Sequence, residues 1–155
     1  MSAQTQLEAL VPVLVAALLA GVIGLDREWR DSPAGIRTHM LVGMGAALIM
    51  AMASELYDPA AAARLAANVI TGVGFIGAGV IIRRDSQVHE LTTAASLWFV
   101  AIVGLAAGAH LYVLAGGGAG LGWCVLALLR WLTKRAWPDD VLDDKSSDGP
   151  DGMTE

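Results

Sequence analysis

Cysteine is nearly missing from this chain, charge is scarce and aromatic residues are few. A single cysteine, Cys124, in 155 residues excludes an intramolecular disulfide framework and any multi-cysteine metal site. Charged residues make up 16% of the chain, against about a quarter in an ordinary soluble domain. Aromatics are 6%, and no basic patch is interleaved with them, which argues against a nucleic-acid module. The charges that exist are unevenly placed. Residues 138–155 hold seven of the 15 acids and one base, Lys145, for a net −6, and the other 137 residues carry nine bases and eight acids, for +1. The sequence pI near 5.0 is therefore a property of the tail. Acidic, poor in apolar residues and containing Gly, Ser and Pro, residues 138–155 are expected to form a disordered cytoplasmic end.

What fills the rest is apolar. Ala9–Leu25, Met40–Ser54, Leu65–Ile82 and Leu91–Leu129 are runs of 17, 15, 18 and 39 residues without Asp, Glu, Lys or Arg. A helix rises 1.5 Å per residue and a bilayer core is about 30 Å thick, so one span needs roughly 20 residues. The last run suits two spans, broken at Gly108-Ala109-His110; Gly116-Gly117-Gly118 is the other candidate, but it would leave a short final helix. The expectation is an all-α, polytopic membrane protein: a transmembrane domain over residues 1–137 with five helices at about 7–25, 40–57, 65–82, 91–108 and 111–132. A soluble bundle would need polar helix faces, and these runs show almost none. Arg27, Arg30, Arg37, Arg83, Arg84, Arg130, Lys134 and Arg135 fall on one side, and Arg64 alone on the other. The positive-inside rule then places the N-terminus outside and the C-terminus in the cytoplasm. The N-terminus has no basic region or cleavage site of a signal peptide, so the first span should be retained.

Lipid tails are as apolar as leucine, so such helices associate through small residues and polar contacts. Ala17, Gly21 and Gly24 in the first span, Gly43, Ala47 and Ala51 in the second, and Gly104 and Gly108 in the fourth are candidates. The third is richest, with Gly72, Gly74, Gly77 and Gly79. At 100° per residue Gly72 and Gly79 share one face and Gly74 and Gly77 roughly the opposite one, which predicts a central helix sandwiched between neighbours. Asn68 lies one turn before Gly72 on its face. The same stretch matches G-x-G-x-x-G, but a dinucleotide fold needs a soluble strand before it and an acid near position 100, and Leu91–Leu129 holds none.

Polar residues collect at the inner mouth. Asp26/Arg30 and Arg27/Asp31 are spaced as i,i+4 pairs, Pro33 ends the helix, and Arg37-Thr38-His39 opens the next. Two readings stay open. One is a solvated, self-paired helix end of little energetic weight. The other has Asp26 and Glu28 as hard oxygen ligands for Mg²⁺, with Arg27 and Arg37 as counter-charges. Thr92 or Thr93 could cap the fourth span, and Asn68, Thr71, Thr93 and Ser96 are available for interhelical hydrogen bonds. No Ser-His-Asp or Cys-His set occurs at credible spacing, which argues against an enzyme, and His39, His89 and His110 lie at boundaries on both sides of the membrane.

Four stretches together resemble the MgtC/SapB family of bacterial inner-membrane proteins: Gly24-Leu25-Asp26-Arg27-Glu28, Ala34 to Val42, Gly72 to Gly79, and Leu91 to Trp98. The likeness covers about residues 10–132. It implies a multi-helix protein tied to growth under magnesium limitation, and a partner that is another membrane complex (the ATP synthase for some members) or a second copy, besides the bilayer itself. Two departures stand out. Many members carry a soluble domain after the last helix where this chain has the acidic tail. The family usually has Gly where Glu90 stands, and some members have Asn in place of Thr92. Asp26, Arg27, Glu28, Arg37, Thr38, His39, Asn68, Thr92 and Thr93 are the expected cation- or partner-binding residues. The expected function is a small membrane regulator linked to magnesium homeostasis. The alternative, a Mg²⁺ transporter or transport subunit, normally needs ionisable residues at mid-membrane, and the spans lack them apart from His110 near a turn.

Overall fold

In a computed structural model, the described residues are 3–84 and 87–136. Six helices and one hairpin occur among them: α1 (Ala3–Glu8), α2 (Leu10–Glu28), α3 (Ile36–Leu56), α4 (Pro59–Val80), β1 (Ile82–Arg84), β2 (Gln87–His89), α5 (Leu91–Gly108) and α6 (Tyr112–Ala136). Four helical stretches, Ala3–Glu28, Ile36–Leu56, Pro59–Val80 and Leu91–Gly108, are long and apolar enough to cross a membrane, and Tyr112–Leu128 is a shorter apolar helix. Five helical spans thus fit the chain. The expected tail, 138–155, lies outside the described residues. The chain divides into two units, residues 1–123 and 124–155, and α2 to α5 lie in the first.

The loop expected between the third and fourth spans is instead partly ordered as a two-stranded antiparallel hairpin, pairing Ile82 with His89, Arg83 with Val88 and Arg84 with Gln87. Helix ends follow local chemistry. Asp58 caps α4 by accepting from the Ala60 and Ala61 N–H groups at 2.9 and 3.0 Å, with Pro59 at the first helical position. The break before α6 falls where Gly108-Ala109-His110 was expected, but the left-handed residue is His110, at φ 62. Its N–H bonds to Ala107 O and that of Leu111 to Ala106 O, a Schellman ending.

The core is rich in alanine and glycine, with Ile23, Leu97 and Val100 among the few large side chains inside it, and most other large apolar residues lie outside. On α2, Ala16, Ala17, Ala20, Gly21 and Gly24 are buried, while Val11, Leu14, Leu18, Val22 and Leu25 are exposed. That is the arrangement a lipid solvent selects, because burying leucine gains little there and close backbone approach gains dispersion. Helix α3 packs on both α2 and α5, and these three helices form the centre of the bundle. Gly43 sits where they meet: a Cβ there would lie 2.8 Å from Ala20 Cβ and 3.3 Å from Ala16 O. A Cβ at Gly104 would collide with Gly43 O, and one at Gly108 would come within 2.5 Å of Ala47 O.

The sandwiched third span is not what forms. Helix α4 flanks α5 and α3 and buries only Ala62, Val73 and Gly77. Gly72, Gly74 and Gly79 face open space, and Gly77 alone touches a neighbour, Ala94, at 3.6 Å. The glycine count of α4 pointed to it as the central helix. The decisive factor is which glycines oppose another backbone, and those lie in α2, α3 and α5.

Candidate functional site

The C-terminal end of α2 and the N-terminal ends of α3 and α5 bring buried polar side chains together. Helix α2 finishes in a second Schellman ending: Asp31, at φ 51, donates its N–H to Glu28 O, and Ser32 donates to Arg27 O. This positions Asp26 and Arg27, only 5% and 6% exposed, against the rest of the bundle. Asp26 takes the expected partner, Arg30, whose Nη2 lies 2.7 and 2.6 Å from its two carboxylate oxygens. The expected pair of Arg27 with Asp31 does not form. The chain has already left the helix at Asp31, so the i,i+4 geometry is lost. Arg27 turns inward instead and donates to Thr93 Oγ1 on α5. The Thr93 hydroxyl in turn donates a hydrogen bond to Glu90 Oε2 at 2.6 Å, and that oxygen lies 4.0 Å from Arg27 Nη2.

Glu90 is the residue that carries this corner. It occupies the N-cap position of α5 in the left-handed conformation, φ 67, and makes no side-chain cap. A residue with a Cβ costs roughly 1–2 kcal/mol there relative to glycine. The carboxylate offsets that cost by meeting Thr93 and the buried Arg27. Thr93 therefore looks inward and does not cap α5. Thr92 is exposed and lies outside the cluster.

A second strand of the network reaches α3. His39 is fully buried. Its Nδ1 lies 2.8 Å from Gly35 O, which only accepts, so Nδ1 carries a proton. Its Nε2 lies 2.9 Å from Ser96 Oγ, and Ser96 Oγ is 2.8 Å from Thr93 O. Arg27, Thr93, Ser96 and His39 thus link three helices through the backbone and side chain of Thr93. Ser96 and Arg30 were not among the expected site residues. Ser96 lies one turn after Thr93 on the same face, a spacing that would have paired them.

Glu28 serves a different end. Gly35 starts α3 without a capping side chain, and the Glu28 carboxylate fills that place, accepting from Ile36 N–H at 2.9 Å. A Cβ at Gly35 would collide with this carboxylate. An anion at a helix N-terminus is favourable. Asp26 and Glu28, the expected metal pair, therefore each have a partner of their own, one Arg30 and one the start of α3. Among the described residues no group of three or more His, Cys, Asp or Glu side chains could hold a metal ion. Arg37 is exposed and Thr38 half-buried beside a polar cavity at this mouth. Asn68 is exposed on α4 and with Gly72 lines an apolar groove of about 560 Å³ against α3, apart from the mouth residues.

Spans with lipid-facing leucines, a core of alanine and glycine, and one buried polar knot at a helix-bundle end define a polytopic helical membrane protein. The sequence matches the MgtC family over residues 13–135, and the chain belongs to that family. It is 39% identical over 139 residues to YhiD of Escherichia coli K12, named there as a candidate magnesium transporter, covering 83% of this chain and 63% of that protein. It is 44% identical over 96 residues to protein MgtC of Salmonella typhimurium, covering 62% of this chain and 41% of that protein, and 43% identical over 96 residues to protein MgtC of Brucella abortus, covering 62% and 40%. The chain spans less than two thirds of the length of these relatives. No solved structure matches.

Proposed function

We propose that this protein is an inner-membrane regulator tied to magnesium homeostasis, acting by binding another membrane complex through its polar mouth. One observation supports this most: the buried polar groups Asp26, Arg27, His39, Thr93 and Ser96 gather at the inner ends of three helices and are engaged with one another and with Arg30, Glu90 and Gly35. A closed knot of this kind holds a surface in shape, whereas a transport route normally carries ionisable groups to mid-membrane. The alternative, a divalent-cation transporter or transport subunit, is favoured by the name of the YhiD relative.

Two measurements on the same preparation separate them. Asp26→Asn keeps the shape of the side chain and removes its charge. It should insert at wild-type level and fail to support growth in low-Mg²⁺ medium in a strain that depends on the protein. Wild-type protein in proteoliposomes should carry no Mg²⁺ flux. Robust flux from folded protein would establish the transporter, and full complementation by Asp26→Asn, Arg27→Gln and Arg37→Gln alike would remove the mouth from the function.

A further inference from the structure

The mouth holds one cavity whose charges the network above does not use. It has a volume of about 420 Å³ and is lined by Glu28, Asp31, Ser32, Arg37 and Thr38, among others. Its neighbours Asp26 and Arg30 are paired, and Arg27 is drawn to Thr93 and Glu90. Asp31 and Arg37 make no ion pair among the described residues. Glu28 spends Oε2 on Ile36 N–H, and its Oε1 has no hydrogen bond among them. The cavity therefore presents two carboxylates, one guanidinium and two hydroxyls at short sequence separation. A lone anion would meet both acids, and a lone metal cation would meet Arg37. A ligand carrying a donor-rich cation and a phosphate on one short linker satisfies both signs.

The position narrows the class. The cavity lies where α2 ends and α3 begins, at the boundary of two spanning helices, and Trp29 beside it is 82% exposed, as an interfacial anchor is. We propose that this cavity binds a phosphoethanolamine group, its primary ammonium donating to Glu28 and Asp31 and its phosphate received by Arg37 with the Ser32 and Thr38 hydroxyls. The volume is at the low end for a small-ligand pocket and suits a headgroup whose acyl chains stay in the bilayer. A quaternary ammonium has no N–H to donate, and a glycerol headgroup leaves the two acids without a cation, so phosphatidylcholine and phosphatidylglycerol fit less well. This inference does not rest on the regulator reading, and its test has no growth or flux arm.

The full chain, purified in mild detergent, is offered equimolar phosphatidylethanolamine, phosphatidylcholine and phosphatidylglycerol, and retained lipid is read by native mass spectrometry. Phosphatidylethanolamine should be retained in preference to both. Arg37→Gln should lower its retention about fivefold, the scale of one exposed ion pair, and Asp31→Lys should turn the preference toward phosphatidylglycerol. Both positions are exposed and make no ion pair among the described residues, so Arg37→Gln should melt like wild type, as should Asp31→Asn, whose side chain suits the left-handed backbone there. Should Asp31→Lys fail to fold, Asp31→Asn carries the same test through loss of preference. Displacement by soluble glycerophosphoethanolamine would identify a free headgroup as the source, and retention that resists it would identify the membrane lipid. Either supports the site. Equal retention of the three lipids, or a preference unchanged in both variants, overturns it.

Discussion

At the scale of single residues, position 90 and its partner Thr93 are the most informative. Glu90 stands in a left-handed conformation that suits glycine, and holds it through a carboxylate that meets Thr93 and Arg27. The two effects can be separated. Glu90→Ala loses the carboxylate and keeps the backbone cost, while Glu90→Gly loses the carboxylate and removes the cost. Glu90→Gly should therefore be the more stable of the two by about 1 kcal/mol, read as detergent unfolding midpoints. Equal midpoints would mean that the corner relaxes out of the left-handed region. Thr93→Val keeps the shape and removes the hydroxyl that bridges Arg27 and Glu90. Leaving a buried donor unsatisfied costs about 1–3 kcal/mol, so this variant should melt clearly below wild type, and more so than Thr92→Val at the exposed neighbour.

At the scale of elements, backbone approach decides which helices are central. Gly43 lies at the crossing of α2, α3 and α5, where a Cβ finds Ala20 at 2.8 Å. Gly43→Ala must push two helices apart, and over-packing of this kind costs about 1–3 kcal/mol. Gly74 has open space around it, so Gly74→Leu should melt like wild type. A fall in melting temperature for Gly74→Leu, lost on dilution to the single chain, would show that α4 meets a second copy on that face. The glycine-rich pattern of α4 was plain in the sequence, but periodicity places residues on faces without saying what each face meets. Gly104 and Gly108 were expected to pack closely, and they do: the missing Cβ of Gly108 admits Ala47, while His110 supplies the left-handed turn.

For the whole molecule, the distribution of Arg and Lys argues that the mouth faces the cytoplasm. A cysteine at Ser32, in a Cys124→Ala background, should resist an impermeant thiol reagent in intact spheroplasts, and one at Tyr57, at the other end of α3, should react. The reverse pattern would invert the protein in the membrane and put the polar mouth on the outer side.

Hydropathy and length are properties of contiguous residues, so the spans, their approximate ends and the helix break near His110 were legible in the chain alone. So was the pairing of Asp26 with Arg30, because one helical turn brings them together without help from any other element. The rest of the site was not. Arg27 and Thr93 are 66 positions apart, and His39 and Ser96 are 57. Whether Arg27 turns to Asp31 or to α5 depends on where α2 stops and how closely α5 approaches. That closeness is set in turn by Gly43 and Gly104, on two different helices. Likewise Glu28 is a surface acid until the chain reversal places the bare start of α3 against it. Local composition determined that the helices form and enter the membrane. The tertiary structure decided which polar group each buried charge would find, because in an apolar interior a charge takes whatever partner the packing brings within reach.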